Sequence, residues 1–133
     1  MDRKITALLV LAAAGGCKSP QTGAKEEFSK DVNCPADRVE VRPRADLTAS
    51  AVLWSKPAAP PPKVAADPER LAMFNKKQQE RAAATDGSCE VFEAKGCDTQ
   101  VLYCCSYASQ RRGNGAGQIS CSKGTYPEGA ARW

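Results

Sequence analysis

Seven cysteines in a chain of 133 residues constrain this fold more than any other feature. Six of them, Cys34, Cys89, Cys97, Cys104, Cys105 and Cys121, fall in the body of the chain, and Cys17 stands apart near its start. Bulky apolar side chains are sparse: much of the apolar content is alanine, and aromatic residues make up only 6%. A domain of this size buries a modest fraction of its surface, so a core this thin needs covalent help. The spacing is Cys34, a gap of 54 residues, then C-x7-C-x6-C-C-x15-C. There is no C-x-x-C, so the simplest signature of thioredoxin-like exchange is missing, as is the close spacing of a zinc knuckle. The six therefore read as disulfide candidates, with fifteen full pairings open. Neighbours on a strand point to opposite faces, so Cys104 and Cys105 are each expected to bond a distant partner.

Cys17 has a different context. Arg3 and Lys4 give a positive start, and Ile5 to Ala14 is almost continuously apolar. That run is half the roughly 20 residues a membrane span needs, and it has the layout of a signal peptide over residues 1–16. It ends in the small residues Ala14-Gly15-Gly16 before Cys17. This segment resembles the bacterial lipobox, with Ala14 where Leu is usual. The resemblance implies cleavage before Cys17, acylation of that cysteine with a palmitate-type chain, and a membrane-lipid partner. Lys18 after the cysteine, in place of Asp, implies a cell outer membrane location. Lipidation of Cys17 leaves an even six cysteines, and an exported compartment permits disulfides.

Along the rest of the chain, residues 17–31 are polar and mixed in charge and read as a flexible, disordered tether. Residues 32–126 read as the cysteine-rich domain. Arg38-Val39-Glu40-Val41-Arg42 alternates with period two, placing the valines on the core and Arg38, Glu40 and Arg42 in water. Thr48 to Trp54 is a second candidate strand. Residues 56–85 interrupt the domain with a proline-rich linker, extended at Pro60-Pro61-Pro62, and a helix. Asp67 as cap and Pro68 at the first position predict a helix running to about Ala84. Leu71 and Phe74 share a face of it and Gln78 breaks the apolar repeat, so it is expected to dock by its first turns or to jut out.

Val91, Phe92, Val101, Leu102 and Tyr103 have strand chemistry, with a hairpin expected at Lys95-Gly96-Cys97-Asp98. Gln110 to Gly117 reads as a loop, with Asn114-Gly115 as a turn. Gln118 to Cys121 reads as a return strand that brings Cys121 to an earlier one. Residues 127–133 form a loose tail, where Trp133, like Tyr126 just before it, can tuck against the domain. The expected fold class is a small disulfide-stabilised, mainly-β domain of antiparallel hairpins with one helix in the proline-rich insertion and a disordered N-terminal region.

The pieces Cys34-Pro35-Ala36-Asp37-Arg38-Val39-Glu40-Val41, Phe92-Glu93-Ala94-Lys95-Gly96-Cys97 and Tyr103-Cys104-Cys105 resemble small uncharacterised cysteine-containing exported proteins of myxobacteria. Cys34, Gly96, Cys97, Tyr103 and Cys105 carry the pattern, over about a third of the chain after Cys17. The resemblance implies an exported, cysteine-stabilised β domain and no particular activity.

The chain has no histidine, so Ser-His and Cys-His arrangements cannot form, and Asp and Glu mark out no catalytic pair. No enzyme, no cofactor and no metal site is expected. Arg42, Arg44, Arg111 and Arg112 read as solvated surface without interleaved aromatics, so nucleic acid is not expected as a partner. The expected role is a non-catalytic, membrane-anchored protein of the cell envelope that meets an envelope protein or polysaccharide. The alternative is an exported thiol protein that binds a metal ion or acts in redox chemistry.

Overall fold

The computed structural model describes residues 18–54, 58–107 and 118–133. The signal segment with Cys17, and the loop carrying Arg111, Arg112, Asn114 and Gly115, lie outside the described residues. The elements run α1 (Pro20–Asp31), a 3-10 turn (Ala36–Arg38), β1 (Glu40–Pro43), α2 (Ala49–Leu53), α3 (Pro62–Ala65), α4 (Pro68–Asp86), β2 (Glu90–Gly96), β3 (Thr99–Tyr107) and β4 (Ile119–Gly124). The four strands form one antiparallel sheet in the order β1-β2-β3-β4. Helices cover both faces of it, so the fold is a mixed α/β domain and not the mainly-β domain with a single helix that the sequence suggested.

The alternation along β2 and β3 builds two separate cores. Phe92, Ala94, Val101, Tyr103 and Cys105 face one side, where Ala24 and Phe28 of α1 pack on them. Val91, Leu102 and Cys104 face the other, under Ala49 and Val52 of α2. With both faces covered, the central strands are buried almost continuously, the pattern of a strand with no solvent face. Gly23 allows the close approach of α1 to the sheet, since a Cβ there would stand 2.5 Å from the Ile119 side chain. Gly124 does the same beneath α2, where a Cβ would collide with Val52.

The first correction concerns the expected tether. Residues 20–31 are helical and docked, with Phe28 wholly buried. The Ser19 hydroxyl caps the helix by accepting from the Thr22 N–H at 3.2 Å, and Pro20 occupies its first turn. At the far end the Tyr103 hydroxyl donates to Asp31 at 2.6 Å. The second correction concerns residues 48–54. Thr48 accepts from the Ala51 N–H at 3.3 Å and starts the helix α2 instead of a strand. In the proline run, Pro61 keeps the extended conformation and Pro62 opens α3.

Helix α4 starts as the sequence predicts, with Asp67 accepting from the Glu69 and Arg70 N–H groups at 3.0 and 3.3 Å. It has no buried residue, and the hydrogen bond that ties it to α2 is at its last turn. Asp86 at its end accepts from the Ser50 N–H of α2 at 2.8 Å, and the helix also packs against α3.

Three disulfides join Cys34–Cys97, Cys89–Cys104 and Cys105–Cys121. Cys104 and Cys105 use opposite faces of β3, as their adjacency required. The first ties β3 to the start of β2, and the second ties it to β4. The Cys34–Cys97 bridge pins the end of α1 to the β2–β3 hairpin. Cys97 and Asp98, the two turn residues, have φ of 47° and 61°, a left-handed conformation uncommon for side chains with a Cβ. The bridge holds one of these two positions.

Candidate functional site

Two places on the α2 side of the sheet gather polar chemistry. The first is built around Glu93, which sits in the middle of β2 with no exposed surface. Register places Arg42 of β1 opposite it, and Arg44 lies two residues on, on the same side of the extended chain. The Arg42 guanidinium donates to Glu93 Oε1 through Nε at 2.9 Å and its second nitrogen lies at 2.7 Å. Arg44 donates to Oε2 at 3.0 Å, and the Tyr126 hydroxyl donates to the same oxygen at 2.6 Å. These four donors fill the acceptor capacity of a carboxylate, about four lone-pair sites. Arg44, itself only 5% exposed, turns its other side to Asp46 in a two-point contact, both bonds at 2.9 Å.

The electrostatics follow from this packing. Burial pushes the Glu93 carboxyl up, but the Tyr126 hydroxyl and the two arginines outweigh it and hold it below its ordinary range. The Arg44 hydrogen bonds bring Asp46 down to about 2. Burial, then the Glu93 contact, raises the Tyr126 hydroxyl above its ordinary range. The C-terminal tail closes the centre. The Arg42 guanidinium lies 4.7 Å from the centre of the Trp133 ring, and Arg132 lies 4.4 Å from that of Tyr126. Gln100 donates to the Trp133 carbonyl.

The second place is a groove of about 430 Å³ between α2, α4 and the same tail. Trp54 follows the last turn of α2, Gln78, Gln79 and Ala82 come from α4, and Pro127 and Glu128 come from the tail. The Arg81 guanidinium stands 6.0 Å from the centre of the Trp54 ring. Among the described residues, no side-chain hydrogen bond involves Trp54, Gln78, Gln79 or Glu128. The groove thus offers an indole, two amides and a carboxylate that make no side-chain hydrogen bond among the described residues.

The structure brings the six candidate cysteines together as pairs, buried at Cys34, Cys104 and Cys105. Among the described residues, no three His, Cys, Asp or Glu side chains converge as metal ligands. Cys17 lies outside the described residues. Sequence reasoning missed Glu93 and misplaced Arg44, which is buried, while Arg42 keeps 38% of its side chain exposed. The available signal was a lone carboxylate inside the apolar run Val91-Phe92-Glu93-Ala94, with two arginines spaced two apart on a second strand. Gln78 was noticed only as an interruption of an apolar stripe, and that interruption faces the groove. The expected tucking of the tail residues Tyr126 and Trp133 is what places them over Glu93 and Arg42.

No family model, curated protein or solved structure matches the chain.

Proposed function

We propose that the chain is an exported lipoprotein, held to a membrane through acylated Cys17, whose domain acts in the cell envelope by binding instead of catalysis. The observation that carries this reading is the pairing of the cysteines. Three bridges take up all six cysteines from Cys34 onward, and the seventh is the one that follows the small residues of the lipobox-like segment. Bridged sulfurs are not thiolates, so the same pairing counts against the thiol alternative, which needs thiolates to hold a metal or attack a disulfide. The binding half of the proposal rests on Glu93 and the groove. Glu93 is locked as an ion by three neighbours, which suits a structural carboxylate better than a proton donor. The groove keeps its polar groups available. Lys18, the residue after Cys17, favours the outer membrane as the place of work.

The test is intact mass with disulfide mapping on protein extracted from membranes. The expected result is loss of residues 1–16, acyl mass on Cys17 and the three bridges. A Cys17→Ser variant is expected in the soluble exported fraction. An unmodified Cys17 in membrane-extracted protein overturns the anchor, and several free thiols overturn the preference for binding over thiol chemistry.

A further inference from the structure

The groove has a chemistry that selects among ligands. Its volume lies in the range of small-molecule sites. Trp54 supplies a broad, flat apolar surface, and Ala82 and Pro127 add no bulk that would fill the space. Gln78 and Gln79 each present a carbonyl acceptor and an NH2 donor, and the Trp54 indole presents one more donor. The one carboxylate of the lining, Glu128, is balanced by the Arg81 guanidinium over the Trp54 ring, so no net charge favours an ion.

A ligand that fits must have a flat C–H face for the indole. It must also carry several hydroxyl or amide groups around its edge, each able to donate and accept, and no net charge. A purely apolar molecule would cover the two amides without replacing their hydrogen bonds to water. A phosphate or carboxylate would meet Glu128. We infer that the groove between α2, α4 and the C-terminal tail binds an uncharged saccharide, with one sugar ring stacked on Trp54 and its hydroxyls paired to Gln78, Gln79 and Glu128. This deepens the proposed binding role and rests on it, because it names the ligand class an envelope-facing domain would take.

The chain's two tryptophans provide the test, because Trp54 belongs to the groove and Trp133 to the Glu93 centre. The ¹⁵N-labelled, fully bridged protein is held in a detergent that carries no sugar headgroup. Cellotriose, maltotriose and triacetylchitotriose are each titrated to about 10 mM, a range that detects millimolar dissociation constants. The expected result is movement of the Trp54 indole N–H resonance with at least one trisaccharide while that of Trp133 stays in place. Trp54→Ala should weaken binding about tenfold, the equivalent of about 1.4 kcal/mol. Gln79→Ala, at an exposed helix position, gives a second variant whose folding is not at risk and should weaken it severalfold. No movement at Trp54 with any of the three sugars overturns the inference. So does equal movement at both indoles, or movement only with a proline-rich peptide. The mass of Cys17 is read separately, so an acylated protein that ignores all three sugars sinks this inference and leaves the anchor standing.

Discussion

The Glu93 centre and the Trp54 groove lie on the same side of the sheet and share the C-terminal tail. Around Glu93 every acceptor position is taken: two arginines and a tyrosine converge on one buried carboxylate. In the groove an indole, two amides and a carboxylate stand without a side-chain hydrogen bond among the described residues. A charge that must be buried is tolerated only when it is paired and hydrogen-bonded. A surface meant to recognise something keeps its hydrogen bonds in reserve and stays near the solvent. The difference suits a stabilising role for the first region and the proposed binding role for the second.

The largest expected effect breaks the comparison on its stability side. Glu93→Ala leaves Arg44 buried without its inward partner, and removing one member of a buried pair typically costs about 3–5 kcal/mol. Urea denaturation of the bridged protein should show a large drop in midpoint, and a drop under 1 kcal/mol would demote the centre to ornament.

Acid should act on the same region. Glu93 and Asp46 both have folded-state values below their ordinary ones. Their contribution is then complete above the unfolded carboxylate value and is lost as pH falls through the folded one. With ordinary values of 4.5 and 3.8 and Asp46 at about 2, the loss should spread from about pH 4.5 downward. The urea midpoint measured against pH checks this, and in Glu93→Gln the acid limb should flatten.

Tyr126→Phe removes one donor to the charged carboxylate, worth about 1.5–3 kcal/mol. It should also loosen the tail, read as faster amide exchange over residues 125–133.

The smallest effect is on the groove. Gln78→Ala, at a half-buried position, and Gln79→Ala, at an exposed one, should each change stability by no more than about 0.5 kcal/mol, as surface substitutions outside the core do. A cost like that of Tyr126→Phe would show that the amides hold the fold together, and the comparison would fail.

The sequence exposed those parts of this molecule whose signal is local. Asp67-Pro68 announced the start of α4, and the apolar runs around Gly96-Cys97 announced the hairpin. The adjacency of Cys104 and Cys105 forced them to opposite partners. What was hidden depends on contacts far apart in the chain. Helix α1 has one bulky apolar residue, Phe28, in a polar stretch, and nothing local says that the sheet has a second face to receive it. Thr48-Ala49-Ser50-Ala51 carried a readable cap and small helix formers, but the apolar Val52-Leu53-Trp54 that followed suggested a strand. Glu93 was passed over, because only α2 and the tail turn its face of the sheet inward.

The Cys34–Cys97 bridge has a mechanical consequence. It spans 63 residues of sequence, and α2, α3 and α4 all lie inside the loop it closes. A pull on the N-terminal end would first peel α1 from the sheet, paying out residues 18–33 at about 3.4 Å each, or roughly 50 Å. Tension would then cross directly from Cys34 to Cys97 and enter the hairpin. The two helices that line the groove lie inside this covalently bypassed loop, so the direct path of tension from Cys34 to Cys97 leaves them out, whereas the groove's third wall, at Pro127 and Glu128, lies beyond the loop.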